Sequence, residues 1–74
     1  MAKAKPRIIT NPDLMVGKPT IEGTRITVEF VLEELAGGRT IPELIDHYGL
    51  TREEIEAALG YATKAVRAQQ KRSA

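Results

Sequence analysis

Residues 44–59 read LIDHYGLTREEIEAAL, and how this run is read decides what kind of molecule the chain makes. Gly49 separates two segments whose apolar side chains recur at helical spacing, Leu44 and Tyr48 before it and Ile55, Ala58 and Leu59 after it. Residues three and four apart share one face of a helix, so each segment is an amphipathic helix. Thr51 followed three residues later by Glu54 is the capping box that starts a helix, because each side chain satisfies the other's free backbone N–H. The stretch therefore predicts a helix-turn-helix corner. Gly49 takes the positive φ that side chains resist. Leu44, Tyr48 and Leu50 fill the wedge between the helices, and Ile55 and Ala58 anchor the second one. Ile45 is larger than the small residue usual where two such helices cross, which widens the expected crossing.

The same logic extends outward. Ile55, Ala58, Leu59, Ala62 and Val66 keep one stripe going to about residue 70. Upstream, Thr40 is an N-cap, Pro42 suits a first turn, and Ile41, Leu44, Ile45 and Tyr48 form the stripe of the helix before Gly49. Earlier still, Val28, Val31, Leu32 and Leu35 repeat the pattern until Gly37-Gly38 ends it. Ahead of Thr27 the signals are short. RIIT at 7–10 and PTIEG at 19–23 read as brief strands joined by an Asn11-Pro12 loop; a hairpin of the two would be too small to stand alone, so they are expected to lie on the helices or to pair with another chain. The expected fold is mainly α: a three-helix bundle containing a helix-turn-helix, preceded by one or two short N-terminal β-strands. Residues 8–70 form the single helical domain, 1–7 a basic N-terminal arm and 71–74 a frayed tail.

With 74 residues and 8.1 kDa, such a domain buries too little surface for generous stability, which makes a partner chain the default expectation. There is no cysteine and one histidine, His47, so neither a disulfide nor a metal cluster can staple it, and no metal or cofactor is expected. No apolar run approaches bilayer length and the N-terminus lacks the apolar core of a secretory signal, so a cytoplasmic location without membrane contact is expected. The net charge of +1 conceals a division along the chain. Lys3, Lys5 and Arg7 make the first seven residues basic, Lys64, Arg67, Lys71 and Arg72 do the same for the last thirteen, and residues 8–61 carry −6. Basic ends on an acidic body suit arms for a polyanion and a body for something else, or simply two solvated tails.

In a DNA-binding helix-turn-helix the second helix enters the major groove, and its exposed start here holds Thr51, Arg52, Glu53, Glu56 and Ala57. With Glu54, three carboxylates crowd that end, whereas phosphate affinity comes from Lys and Arg. The candidate DNA contacts are accordingly Lys18, Thr24, Arg25, Thr51 and Arg52, with help from the tails. Phe30 lies about 200° from Val28 at 100° per residue, opposite the apolar stripe. Tyr61 is displaced in the same way, on a face with Ala57, Lys64 and Ala68. Phe30, Ala57 and Tyr61 are therefore expected to serve a homodimer or partner interface.

Residues 17–25, GKPTIEGTR, evoke a phosphate cradle, but Pro19 removes an N–H where a P-loop needs one and the next helix starts too far away. Pro19 and Gly23 instead fix a tight extended segment with Lys18 and Arg25 at its ends. This segment, with Gly17-Lys18-Pro19, Gly23-Thr24-Arg25 and the later Ala58-Leu59-Gly60-Tyr61-Ala62 run, resembles the family known as domain of unknown function 433, over nearly everything from Ile8 to Ala62. The family pattern often has a second glycine where this chain has Val16. The resemblance implies a homeodomain-like three-helix fold behind short strands, and an antitoxin-like role beside a small nuclease-like toxin. It carries no catalytic residues. Asp46 and His47 are sequence neighbours that do not face each other on a helix, so no catalytic constellation is expected. The functional expectation is a non-enzymatic regulator that binds a toxin protein and double-stranded DNA; the alternative is a protein-interaction or dimerisation module without DNA binding.

Overall fold

The computed structural model describes residues 5–72. Two short strands, β1 (Ile8–Ile9) and β2 (Thr20–Ile21), precede three helices: α1 (Val28–Ala36), α2 (Ile41–Tyr48) and α3 (Arg52–Arg72). The strands pair antiparallel with Ile8 opposite Ile21 and Ile9 opposite Thr20, and the Glu22 N–H donates to the Arg7 carbonyl at 2.8 Å. Arg7, expected in the basic arm, is thus joined to the hairpin through its backbone. Of the other two basic-arm residues, Lys5 is exposed and Lys3 lies outside the described residues. α3 continues to Arg72, past the end near residue 70 that its apolar stripe predicts.

Each helix starts on a threonine. Thr27 accepts from the Phe30 N–H at 3.0 Å. Thr40 and Glu43 form a reciprocal capping box, the Thr40 N–H donating to the Glu43 carboxylate at 2.8 Å and the Glu43 N–H to the Thr40 hydroxyl at 3.2 Å. Thr51 and Glu54 repeat it at 2.9 and 3.1 Å. The first helix ends in a Schellman turn: the Arg39 N–H reaches the Glu34 carbonyl and the Gly38 N–H the Leu35 carbonyl, with Gly38 at φ 105°, the left-handed position that glycine fills without penalty. Gly49 ends α2 at φ 68°, ψ 18°. The corner between α2 and α3 therefore has the turn that the sequence predicts.

Leu44, Leu50, Ile55 and Ala58 are all buried at this corner, and Ile21, Val28 and Val31 complete the core. α3 is the common support, since α1, α2 and both strands pack on it. Tyr48 does not fill the wedge. It is 38% exposed, because it is the last residue of α2 and its ring turns outward to meet Phe30 edge-to-face, with centroids 5.1 Å apart and planes at 85°. Its hydroxyl donates to the Glu34 carboxylate at 3.0 Å. Leu44 and Leu50 are the buried side chains of the wedge on that side, with Ile41 and Ile45 partly buried beside them. Phe30 is correspondingly half-buried rather than a free aromatic.

The segment after β2 doubles back on itself. The Thr24 hydroxyl donates to the Ile21 carbonyl at 2.8 Å and accepts from the Ile26 N–H at 2.9 Å, while the Ile21 N–H donates to the Ile26 carbonyl and the Val28 N–H to the Pro19 carbonyl. Gly23 sits at φ 85° in this turn. Residues 17–25 are thus a folded bracket that delivers Thr27 to the start of α1. Before it, Met15 at φ 51° and Val16 at φ 57° stand in the left-handed region, where a β-branched side chain is disfavoured.

Candidate functional site: an aromatic groove beside the helix-turn-helix

Between the bracket, α1 and the end of α2 lies an open groove of about 450 Å³. Met15, Ile26, Phe30 and Tyr48 make its apolar wall. Four charged residues, Lys18, Arg25, Glu29 and Glu33, line the rest. The Lys18 ammonium donates to the Glu29 carboxylate at 2.9 Å, across eleven residues of chain. This bond, together with the charge of Glu29, holds the Lys18 pKa above its usual value. Lys18 is exposed at the end of the bracket, as expected, and paired there with α1. Arg25 is exposed and forms no ion pair among the described residues. On the α2 side, Glu34 holds both the Tyr48 hydroxyl and Arg39, the latter at 3.4 Å. The bond to Glu34 favours the neutral phenol and raises the Tyr48 pKa.

The candidate DNA contacts fall into two groups. Lys18, Thr24 and Arg25 belong to the bracket, but the Thr24 hydroxyl is already engaged in the turn by one donated and one accepted bond. Thr51 and Arg52 belong to the start of α3. The Thr51 hydroxyl accepts from the Glu54 N–H and its own N–H is taken by the Glu54 carboxylate. Glu54 is consumed by the cap, while Glu53 and Glu56 are exposed on the same turns as Arg52. Of the five residues, Arg25 and Arg52 carry cations free of an ion pair among the described residues.

The interface candidates also separate. Phe30 belongs to the groove, whereas Tyr61, 38% exposed, lies on α3, and Ala57 is half-buried there. Periodicity alone misses Met15, Ile26 and Tyr48 as groove residues, since none is out of place on its own element. The Thr40-x-x-Glu43 spacing does signal the second capping box, being identical to that of Thr51-x-x-Glu54. Among the described residues no group of three or more His, Cys, Asp or Glu side chains is placed to hold a metal ion, and no helix is long and apolar enough to cross a membrane.

A strand hairpin seated on three capped helices, with a left-handed glycine at the corner, defines a small helix-turn-helix domain. The chain belongs to a family of proteins of unknown function, DUF433, whose model matches residues 8–62. It is 34% identical over 62 residues to the uncharacterized protein Rv2308 of Mycobacterium tuberculosis (strain ATCC 25618 / H37Rv), a match covering 84% of this chain and 26% of that protein. The chain thus spans about a quarter of that relative's length. No solved structure matches it significantly.

Proposed function

We propose that this chain is a non-enzymatic, antitoxin-like regulator that captures a partner protein in the groove formed by Met15, Ile26, Phe30 and Tyr48, and holds double-stranded DNA weakly through Arg25 and Arg52. The observation that carries the protein-binding half is the composition of the groove. Two aromatic rings and two aliphatic side chains form one wall, and opposite charges line the other. An apolar floor with a charged rim is the anatomy of a protein-recognition surface. The toxin partner is suggested by the family resemblance, and the acidic body of the chain suits a basic toxin. Co-purification of the tagged chain with the product of the adjacent gene tests this half. Phe30→Ala should weaken the complex at least tenfold, and an unchanged affinity would remove the groove from the reading.

The exposed Glu53 and Glu56 beside Arg52 favour a second reading, a protein-interaction module that does not touch DNA. Salt dependence separates the two. If each protomer neutralises about three phosphates, log K against log salt falls with a slope of about −2.7 per protomer. Arg25→Ala with Arg52→Ala should flatten that slope. No retardation at low salt of the DNA upstream of the gene leaves the protein-binding module alone.

A further inference from the structure

The second half of α3 outruns its supports. At 1.5 Å per residue its 21 residues extend about 31 Å, against about 14 Å for the nine of α1 and about 12 Å for the eight of α2. Leu59 and Ala62 are half-buried, and every residue from Thr63 to Gln70 is exposed. The apolar stripe nevertheless continues, for Val66, four residues beyond Ala62, lies on the Ile55 face and is 53% exposed. Two shallow apolar grooves flank this ridge, and both are lined by Leu32, Ala62 and Val66. Tyr61 and Ala65 extend one of them, Arg67 the other.

The chain is also less compact than its size requires. A compact monomer of 8.1 kDa exposes about 4,500 Å², whereas this chain exposes 5660 Å². Its radius of gyration is 13.1 Å, where a compact chain of this length has about 11 Å.

Charge identifies what covers it. α1 carries Glu29, Glu33 and Glu34 and no cation. Between Ala62 and Gln70, α3 carries Lys64 and Arg67 and no carboxylate, and neither cation has an ion pair among the described residues. Glu29 borders the apolar groove, and Glu33 stands four residues further along the same side of α1. A copy related by a two-fold axis presents both signs at once, its basic α3 to the first copy's acidic α1 and the reverse.

We infer that the chain forms a homodimer in which the free half of α3, centred on Val66, packs antiparallel to that of a second copy over the Leu32 grooves and sets Lys64 and Arg67 against Glu29 and Glu33 of the other copy's α1. Glu29 and Glu33 also line the aromatic groove, but self-association is read on the purified chain alone, without toxin or DNA. Sedimentation equilibrium at micromolar concentration should give a dimer; a monomer overturns the inference. Val66→Glu, at a position exposed in the single chain, should give a monomer with unchanged helical circular dichroism, and a persisting dimer overturns the geometry. Arg67→Glu and Glu33→Arg should each weaken self-association about tenfold. Mixing the two variants restores both opposite-charge pairs in a heterodimer, so the mixture should dimerise as the parent does. Failure of the mixture to recover overturns the basic-on-acidic arrangement.

Discussion

Replacing Val16 with glycine should stabilise the fold. Val16 has φ 57° and ψ 33° and is 90% exposed, so its side chain lies in a disfavoured backbone region and contributes almost no burial in return. An L-residue in the left-handed region costs about 1–2 kcal/mol. Glycine there removes that cost and adds about 0.5–1 kcal/mol of unfolded-chain entropy to be lost on folding, which leaves a net gain of about 0.5–1 kcal/mol. For a domain of this size each kcal/mol moves the melting midpoint by about 4–8 °C, so Val16→Gly should raise Tm by about 2–8 °C. Urea titration should move the midpoint upward with an unchanged slope, the mark of an effect on stability rather than on the surface exposed. Val16→Asn should fall between, because asparagine tolerates this region better than valine. A glycine variant no more stable than the parent would refute the reasoning.

The other predictions concern the corner and the caps. Ile55→Ala empties a fully buried site where α3 meets the core and should cost about 3 kcal/mol by chemical denaturation, enough to unfold much of the isolated chain. Gly49→Ala should cost about 1 kcal/mol: its Cβ would meet nothing within 4 Å, so any loss comes from φ 68° and not from crowding. The Thr40 N–H bond holds the Glu43 carboxyl below its usual value of 4.5. A lowered folded-state pKa stabilises the fold fully above the unfolded value, and the contribution disappears as pH falls through the folded one. Tm should therefore decline on acidification below about 4.5. Thr40→Ala, which removes the reciprocal hydroxyl cap, should cost about 1 kcal/mol at neutral pH, read from the same melts.

The helices were legible because their signals are local. Thr40 and Thr51, each with a glutamate three residues on, announce helix starts in the letters alone, and the left-handed Gly49 follows from what any side chain would suffer there. The outward turn of Tyr48 and the ring that meets Phe30 are hidden in the sequence for one common reason. Periodicity fixes the direction in which a side chain leaves its own helix and says nothing of what stands opposite. Phe30 points away from the core stripe of α1, yet the last residue of α2 comes around to meet it. The Lys18–Glu29 bond had no signal either, since the bracket must fold before residues eleven apart become neighbours. A valine would be among the last residues assigned to a left-handed turn, and so the shape of residues 15–17 was hidden. The groove was invisible for the same reason: its walls come from three elements, each unremarkable alone.

The position of α3 as the common floor has a consequence for how the protein comes into being. It is the last of the three helices in chain order, and Ile21, Val31 and Leu44 lack the Ile55 and Ala58 side of their core until it emerges. The hairpin and the first two helices must wait in an unfinished state until α3 has been made, and the domain can close only then. A nascent chain stalled before Ile55 would therefore present its oily residues to chaperones and proteases, and quality control could act on this protein before a finished copy exists.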